Sequence, residues 1–181
     1  MAEPAARPAP ARLPALGRLG RLPGRRRTIP FVLQTTIADC GAACLAMVLG
    51  FHGRHARLDD VREVAGVGRD GADAQALVDA ARVFGLRGRG VRIDGPDDLA
   101  FLGRGAILHW GFRHFVVLDR VTRRGAVLLD PAAGCREVGR QELDEELTGV
   151  ALLFAPTAAL APGGRRRRGW RRFAGVLREH A

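Results

Sequence analysis

From Ala42 to Leu49 every position is apolar, and the residues are mostly Ala, Leu, Met and Val. That run predicts a helix from Cys40 to Phe51 buried on all sides, because these side chains favour helix and leave no polar face for water. A shorter helix is expected over Asp59 to Ala65. A third, amphipathic one is expected over Ala72 to Phe84, where Leu77, Ala81 and Phe84 recur at i, i+4 and i+7. Beyond Gly85 the period changes. Leu86 to Ile93, Ala106 to Trp110, Phe115 to Val121, Ala126 to Leu129 and Val150 to Phe154 read as strands punctuated by Gly, Pro and Asp, with a small helix over Gln141 to Leu147. Helices first and strands later predict an α+β domain with an antiparallel sheet.

Charge divides the 181-residue chain into three parts. Residues 1–28 hold seven Arg and one Glu, and residues 161–181 hold seven Arg and one Glu, whereas residues 29–160 hold 15 Arg against 17 Asp and Glu. The net charge of +10 therefore sits in the tails. The expected organisation is a disordered Arg/Pro-rich tail (1–28), one folded domain (29–160) and a basic amphipathic linker helix (161–181) carrying Trp170, Phe173, Val176 and Leu177. A nucleic-acid-binding domain would carry its positive stripe on the folded part, so the tails point to an anionic membrane surface or partner, with no nucleic acid. No signal-peptide core and no apolar stretch of membrane-spanning length is visible. Cys40, Cys44 and Cys135 are an odd count, the first two one helical turn apart, which fits a reduced, cytoplasmic protein.

The candidate chemistry lies at the start of the first predicted helix. Asp39 is expected as its N-cap, so Cys40 falls in the first turn, where aligned peptide dipoles and free N–H groups favour the thiolate. Gln34 lies close enough upstream to turn its amide N–H toward an oxyanion. His114 opens one predicted strand and Asp130 closes the next, around a turn at Arg123-Arg124-Gly125. A hairpin with matching ends would let Asp130 hold the imidazole while the other ring nitrogen faces Cys40. Cys, His, Asp is the chain order of papain-like thiol peptidases. His109 is the fallback base and Asp119 the weaker orienting residue, expected as a solvated strand position. Cys44 is assigned to packing. Cys40, Cys44, His52 and His55 also match a C-x3-C-x7-H-x2-H zinc spacing, but structural zinc sites put paired cysteines on a turn rather than inside a helix. No metal and no cofactor is expected.

Gln34, the run Asp39-Cys40-Gly41-Ala42-Ala43-Cys44-Leu45-Ala46-Met47, His109-Trp110, His114 to Leu118 and Asp130 to Gly134 together resemble the double-glycine leader peptidases. These are the papain-like domains at the N-terminus of bacterial ABC exporters for bacteriocins and lantipeptides. Gly68 to Gly71, Ala80 to Leu86 and Leu147 to Leu152 extend the resemblance from about residue 29 to about residue 160. It implies Cys40 as nucleophile, His114 as base, Asp130 as its orienter and Gln34 as oxyanion donor, with Trp110 and Gly41 contacting substrate in a narrow cleft. It further implies cleavage after a Gly-Gly type pair in a precursor whose leader binds as an amphipathic helix. The implied partners are an exporter's transmembrane and ATPase parts, at the inner face of the cell membrane, since no Walker motif occurs in the chain. The alternative within the same resemblance is a silent docking domain that only recruits the precursor.

Overall fold

A computed structural model describes residues 28–161, so the expected terminal tail and linker helix lie outside the described residues. Within them the order is α1 (Cys40–Phe51), α2 (Leu58–Val64), α3 (Ala74–Val83), β1 (Leu86–Arg92), β2 (Ile107–Trp110), β3 (His114–Val121), β4 (Gly125–Asp130), β5 (Gly134–Gly139), α4 (Arg140–Glu146) and β6 (Leu147–Pro156). Single 3₁₀ turns occupy Ile37–Asp39 and Pro96–Phe101. The strands form one six-stranded sheet in the order β1-β6-β2-β3-β4-β5, antiparallel throughout.

Alternation along the strands splits the interior in two, as a pleated sheet must. Ile107, Phe115, Val117, Leu129 and Leu152 face α1 and α3, joining Ala42, Leu45, Met47, Leu49, Leu77 and Ala81. Leu108, Val116, Leu118, Leu128 and Ala151 face the other way, against Leu143 of α4 and Leu99 of the 3₁₀ turn. The helix α1 has no solvent face: all residues from Cys40 to Leu49 are buried, between β3 on one side and α2 and α3 on the other. This is why its sequence shows no amphipathic period. Gly41 permits that packing. A Cβ there would lie 3.0 Å from Leu77 and 3.3 Å from Phe115, so the glycine lets α1 approach α3 and β3.

The observed elements depart from the expected ones chiefly at β5. Gly134-Cys135-Arg136-Glu137-Val138-Gly139 pairs with β4 as an edge strand and buries only Val138, so no alternating apolar signal marks it. Helix α3 starts two residues later than expected because Asp73, whose carboxylate accepts from the Ala76 N–H at 2.7 Å, is its N-cap.

Candidate active site

Helix α1 and the β3–β4 hairpin bring three of the sequence candidates together. Cys40 is the first residue of α1 and 6% exposed. His114 begins β3 and Asp130 ends β4; with Val117 opposite Leu129, both lie at the same end of the hairpin. The His114 Nε2 is 2.8 Å from Asp130 Oδ1. The Asp130 carboxylate is itself fixed by the Ala132 N–H at 2.8 Å, and Arg136 of β5 lies 3.6 Å from its Oδ2. With Nε2 held there, Nδ1 is the nitrogen left to bond the Cys40 thiol. The turn before β3 is unusually tight. Gly111 and Phe112 both take left-handed backbone angles, φ 52 and 60, and the Arg113 N–H returns to the Trp110 carbonyl at 3.3 Å.

These contacts move the ionisations toward an ion pair. Burial disfavours the Cys40 thiolate, but the hydrogen bond from His114 and the N–H groups of Phe115 and Gly41 outweigh it, so the thiol titrates below its ordinary value. Burial likewise disfavours the His114 imidazolium, and the bonds to Cys40 and Asp130 outweigh it, so the imidazole titrates above its ordinary value. Asp130 is pushed up by burial and pulled down further by His114 and the Ala132 N–H, and stays ionised. The two shifted groups titrate as a pair.

The remaining candidates occupy other places. Asp39 does not cap α1. Its buried carboxylate turns back to the preceding loop, accepting from the Thr36 N–H at 2.8 Å and the Thr35 hydroxyl at 2.5 Å. Residues 35 and 36 offer free N–H groups closer to it than those of the helix, a competition that residue type alone does not reveal. Gln34 is half-buried, and its N–H donates to the Pro131 carbonyl at 3.0 Å, which ties it to the loop that follows Asp130. Its side-chain Oε1 is buried with no hydrogen-bond partner among the described residues.

Trp110 is 7% exposed and packs in the core on the α4 side of the sheet, and Gly41 is buried against Leu77 and Phe115. Both therefore take part in core packing, and their expected contact with substrate in a narrow cleft stays a proposal. His109 places Nδ1 2.8 Å from the Thr148 hydroxyl and its ring 5.0 Å from that of Phe115, away from the Cys40 role. Asp119 is not a solvated position. It is buried and paired with Arg104 and Arg120. Cys44 donates its Sγ–H to the Phe115 carbonyl at 3.2 Å. Among the described residues no three His, Cys, Asp or Glu side chains converge as metal ligands.

Helices packed on an antiparallel sheet, with a cysteine at a helix start presented to a histidine on that sheet, define a papain-like cysteine peptidase domain. Residues 28–159 match the Peptidase C39 family, and the chain belongs to it. It is 40% identical over 131 residues, 72% of this chain, to the probable microcin-H47 secretion/processing ATP-binding protein MchF of Escherichia coli, and covers 19% of that protein. Over 161 residues, 85% of the chain, it is 32% identical to the transport/processing ATP-binding protein ComA of Streptococcus pneumoniae, covering 22% of it. The chain thus spans about a fifth of the length of these curated relatives. Among solved structures, a double glycine motif protease from an AMS/PCAT transporter, in complex with the leader peptide, superposes with a TM-score of 0.68 at 40% identity, over 73% of this chain and 94% of that one. The peptidase domain of Streptococcus ComA superposes with a TM-score of 0.67 at 24% identity, over 72% of this chain and all of that one, and supports the fold alone.

Proposed function

We propose that this chain is a catalytically active endopeptidase that removes the leader of a ribosomally made bacteriocin or lantipeptide precursor, cutting after a Gly-Gly type pair. The observation that carries the reading is the 2.8 Å bond from His114 Nε2 to Asp130, which leaves Nδ1 for a Cys40 thiol whose titration is already drawn down. In this reading the Cys40 thiolate attacks the carbonyl carbon of the pair's second residue. The carbonyl π electrons move onto oxygen, and that oxyanion takes hydrogen bonds from the Cys40 backbone N–H and the Gln34 carboxamide. An amide can present either end, and the buried end of Gln34 that lacks a partner is the place where an N–H would await that charge. The oxyanion collapses as the C–N bond breaks, and His114 gives its proton to the leaving amine. Water, deprotonated by the now neutral His114, then hydrolyses the thioester and restores Cys40.

The names of the relatives, secretion/processing and transport/processing ATP-binding proteins, support coupling to ATP-driven export. In this reading the peptidase works with an ABC transporter's transmembrane and ATPase parts on the cytoplasmic side of the membrane. No helix of the described residues is long and apolar enough to cross a membrane. Residues 161–181, with seven Arg, would lie on an anionic membrane surface in this reading. The test is digestion of a synthetic precursor with a helical leader and a Gly-Gly pair, read by mass spectrometry. One cut after the pair, abolished by Cys40→Ala, is expected. Binding of the peptide without any cut would identify a docking domain instead.

A further inference from the structure

The Asp39 carboxylate has no part in the chemistry above, yet it stands between Gln34 and Cys40 and is wholly buried. A buried charge persists only where donors surround it. Here Oδ2 accepts from the Thr35 N–H at 3.2 Å, the Thr35 hydroxyl at 2.5 Å and the Thr36 N–H at 2.8 Å, while Oδ1 accepts no hydrogen bond and is compensated by charge alone, in an ion pair with Nε of Arg62 on α2 at 2.9 Å. None of these donors belongs to α1. Burial pushes this carboxyl up, but the Thr35 hydroxyl, the Thr36 N–H and the Arg62 charge hold it below its ordinary value.

The loop it grips has little else to fix it. Leu33 is 61% exposed and Ile37 is 89% exposed, so beyond Val32, which packs against the core, apolar burial does not anchor the residues around Gln34. Two polar ties do. Upstream, the Gln34 N–H holds to Pro131, next to Asp130; downstream, Thr35 and Thr36 hold to Asp39, next to Cys40. We propose that the Asp39–Arg62 pair is a positioning clamp that sets the Gln34 amide relative to the Cys40 thiol, so that the oxyanion site is formed before substrate arrives. The inference rests on the peptidase reading. Its physical basis is that reacting groups displaced by about 1 Å can lose about 100-fold in rate, and the contact Arg62 makes here is to the Asp39 carboxylate it neutralises.

The test is steady-state cleavage of the synthetic Gly-Gly precursor by the full chain carrying Arg62→Ala, Arg62→Lys or Arg62→Gln, each alone and with Gln34→Ala. Arg62→Ala should lower kcat by about 10- to 100-fold with KM little changed. Arg62→Lys, which keeps the charge, should recover part of the loss. In the Gln34→Ala background the same substitution should add nothing, a coupling that general loosening of the fold would not produce. The alkylation rate of Cys40 by iodoacetamide should stay at the wild-type value, because His114 and Asp130 are untouched. If Arg62→Ala does not fold, Arg62→Gln, which retains a neutral donor, carries the same comparison. Equal losses in the two backgrounds, or turnover by Arg62→Ala at the wild-type rate while Gln34→Ala is impaired, would overturn the clamp and leave the peptidase intact. A wild-type chain that makes no cut removes the peptidase reading and the clamp together.

Discussion

Two cysteines one turn apart on the same helix have opposite chemistry. Cys40 stands in the first turn of α1 and Cys44 in the second, and both are buried. Cys40 meets an imidazole and two backbone N–H groups, so its thiolate is favoured. Cys44 has only a carbonyl to donate to, and burial, with Cys40 and Asp130 nearby, pushes its thiol well above the ordinary value. Burial disfavours both thiolates, and at Cys44 nothing offsets it. What decides is whether the neighbouring groups donate to sulfur or accept from it, and that changes within about 6 Å along a helix with a 5.4 Å pitch.

The substitution expected to break this contrast most is His114→Ala. It removes both the base and the partner of the thiolate, and cleavage of the synthetic Gly-Gly peptide should fall by about 1,000-fold or more. A mutant retaining a tenth of wild-type turnover would mean that another group, with His109 the first to examine, serves Cys40. Asp130→Asn should cost less. The carboxamide can still accept from Nε2–H, but without the negative charge the imidazolium loses support, so the upper limb of the pH–rate profile should move to lower pH. An unmoved limb would show that Asp130 only orients the ring. Cys44→Ala should have the smallest effect: kcat unchanged and stability lowered by about 1 kcal/mol, from the small cavity and the carbonyl of Phe115 left without its thiol donor. A large loss of kcat there would move Cys44 out of the core and into the reaction.

The legible part of the molecule was the part where local and tertiary demands agree. Helix α1 runs from Cys40 to Phe51 as its uninterrupted apolar sequence implies, and the hairpin joining His114 to Asp130 follows from two apolar runs around Arg123-Arg124-Gly125. The edge strand β5 was not legible because an edge buries little: four of its six residues are charged, glycine or cysteine at half-exposed or exposed positions before Val138 closes against the core. The side-chain direction of Asp39 was not legible either. An aspartate before a helix can bond forward to the helix or backward to the loop, and here two threonine N–H groups, a hydroxyl and Arg62 from α2 decide for the loop. Trp110 and Gly41 carry the same lesson. Gly41 follows Cys40 and Trp110 follows a histidine in sequence, yet the pleat turns Trp110 to the α4 face and the helical period turns Gly41 onto Leu77.

The thiolate–imidazolium pair can be read most directly from the pH dependence of iodoacetamide alkylation at Cys40, site-resolved by mass spectrometry, in wild type and His114→Ala. Because the Cys40 thiol is drawn below the ordinary value of about 8.5, its thiolate should be present, and alkylation should remain fast, below that pH, falling in more acid solution. His114→Ala should shift the whole profile upward, toward or beyond the ordinary thiol value, while Cys44 stays unmodified in both proteins. Profiles that coincide at the ordinary thiol value, with or without His114, would contradict the activated nucleophile on which the proposed function stands.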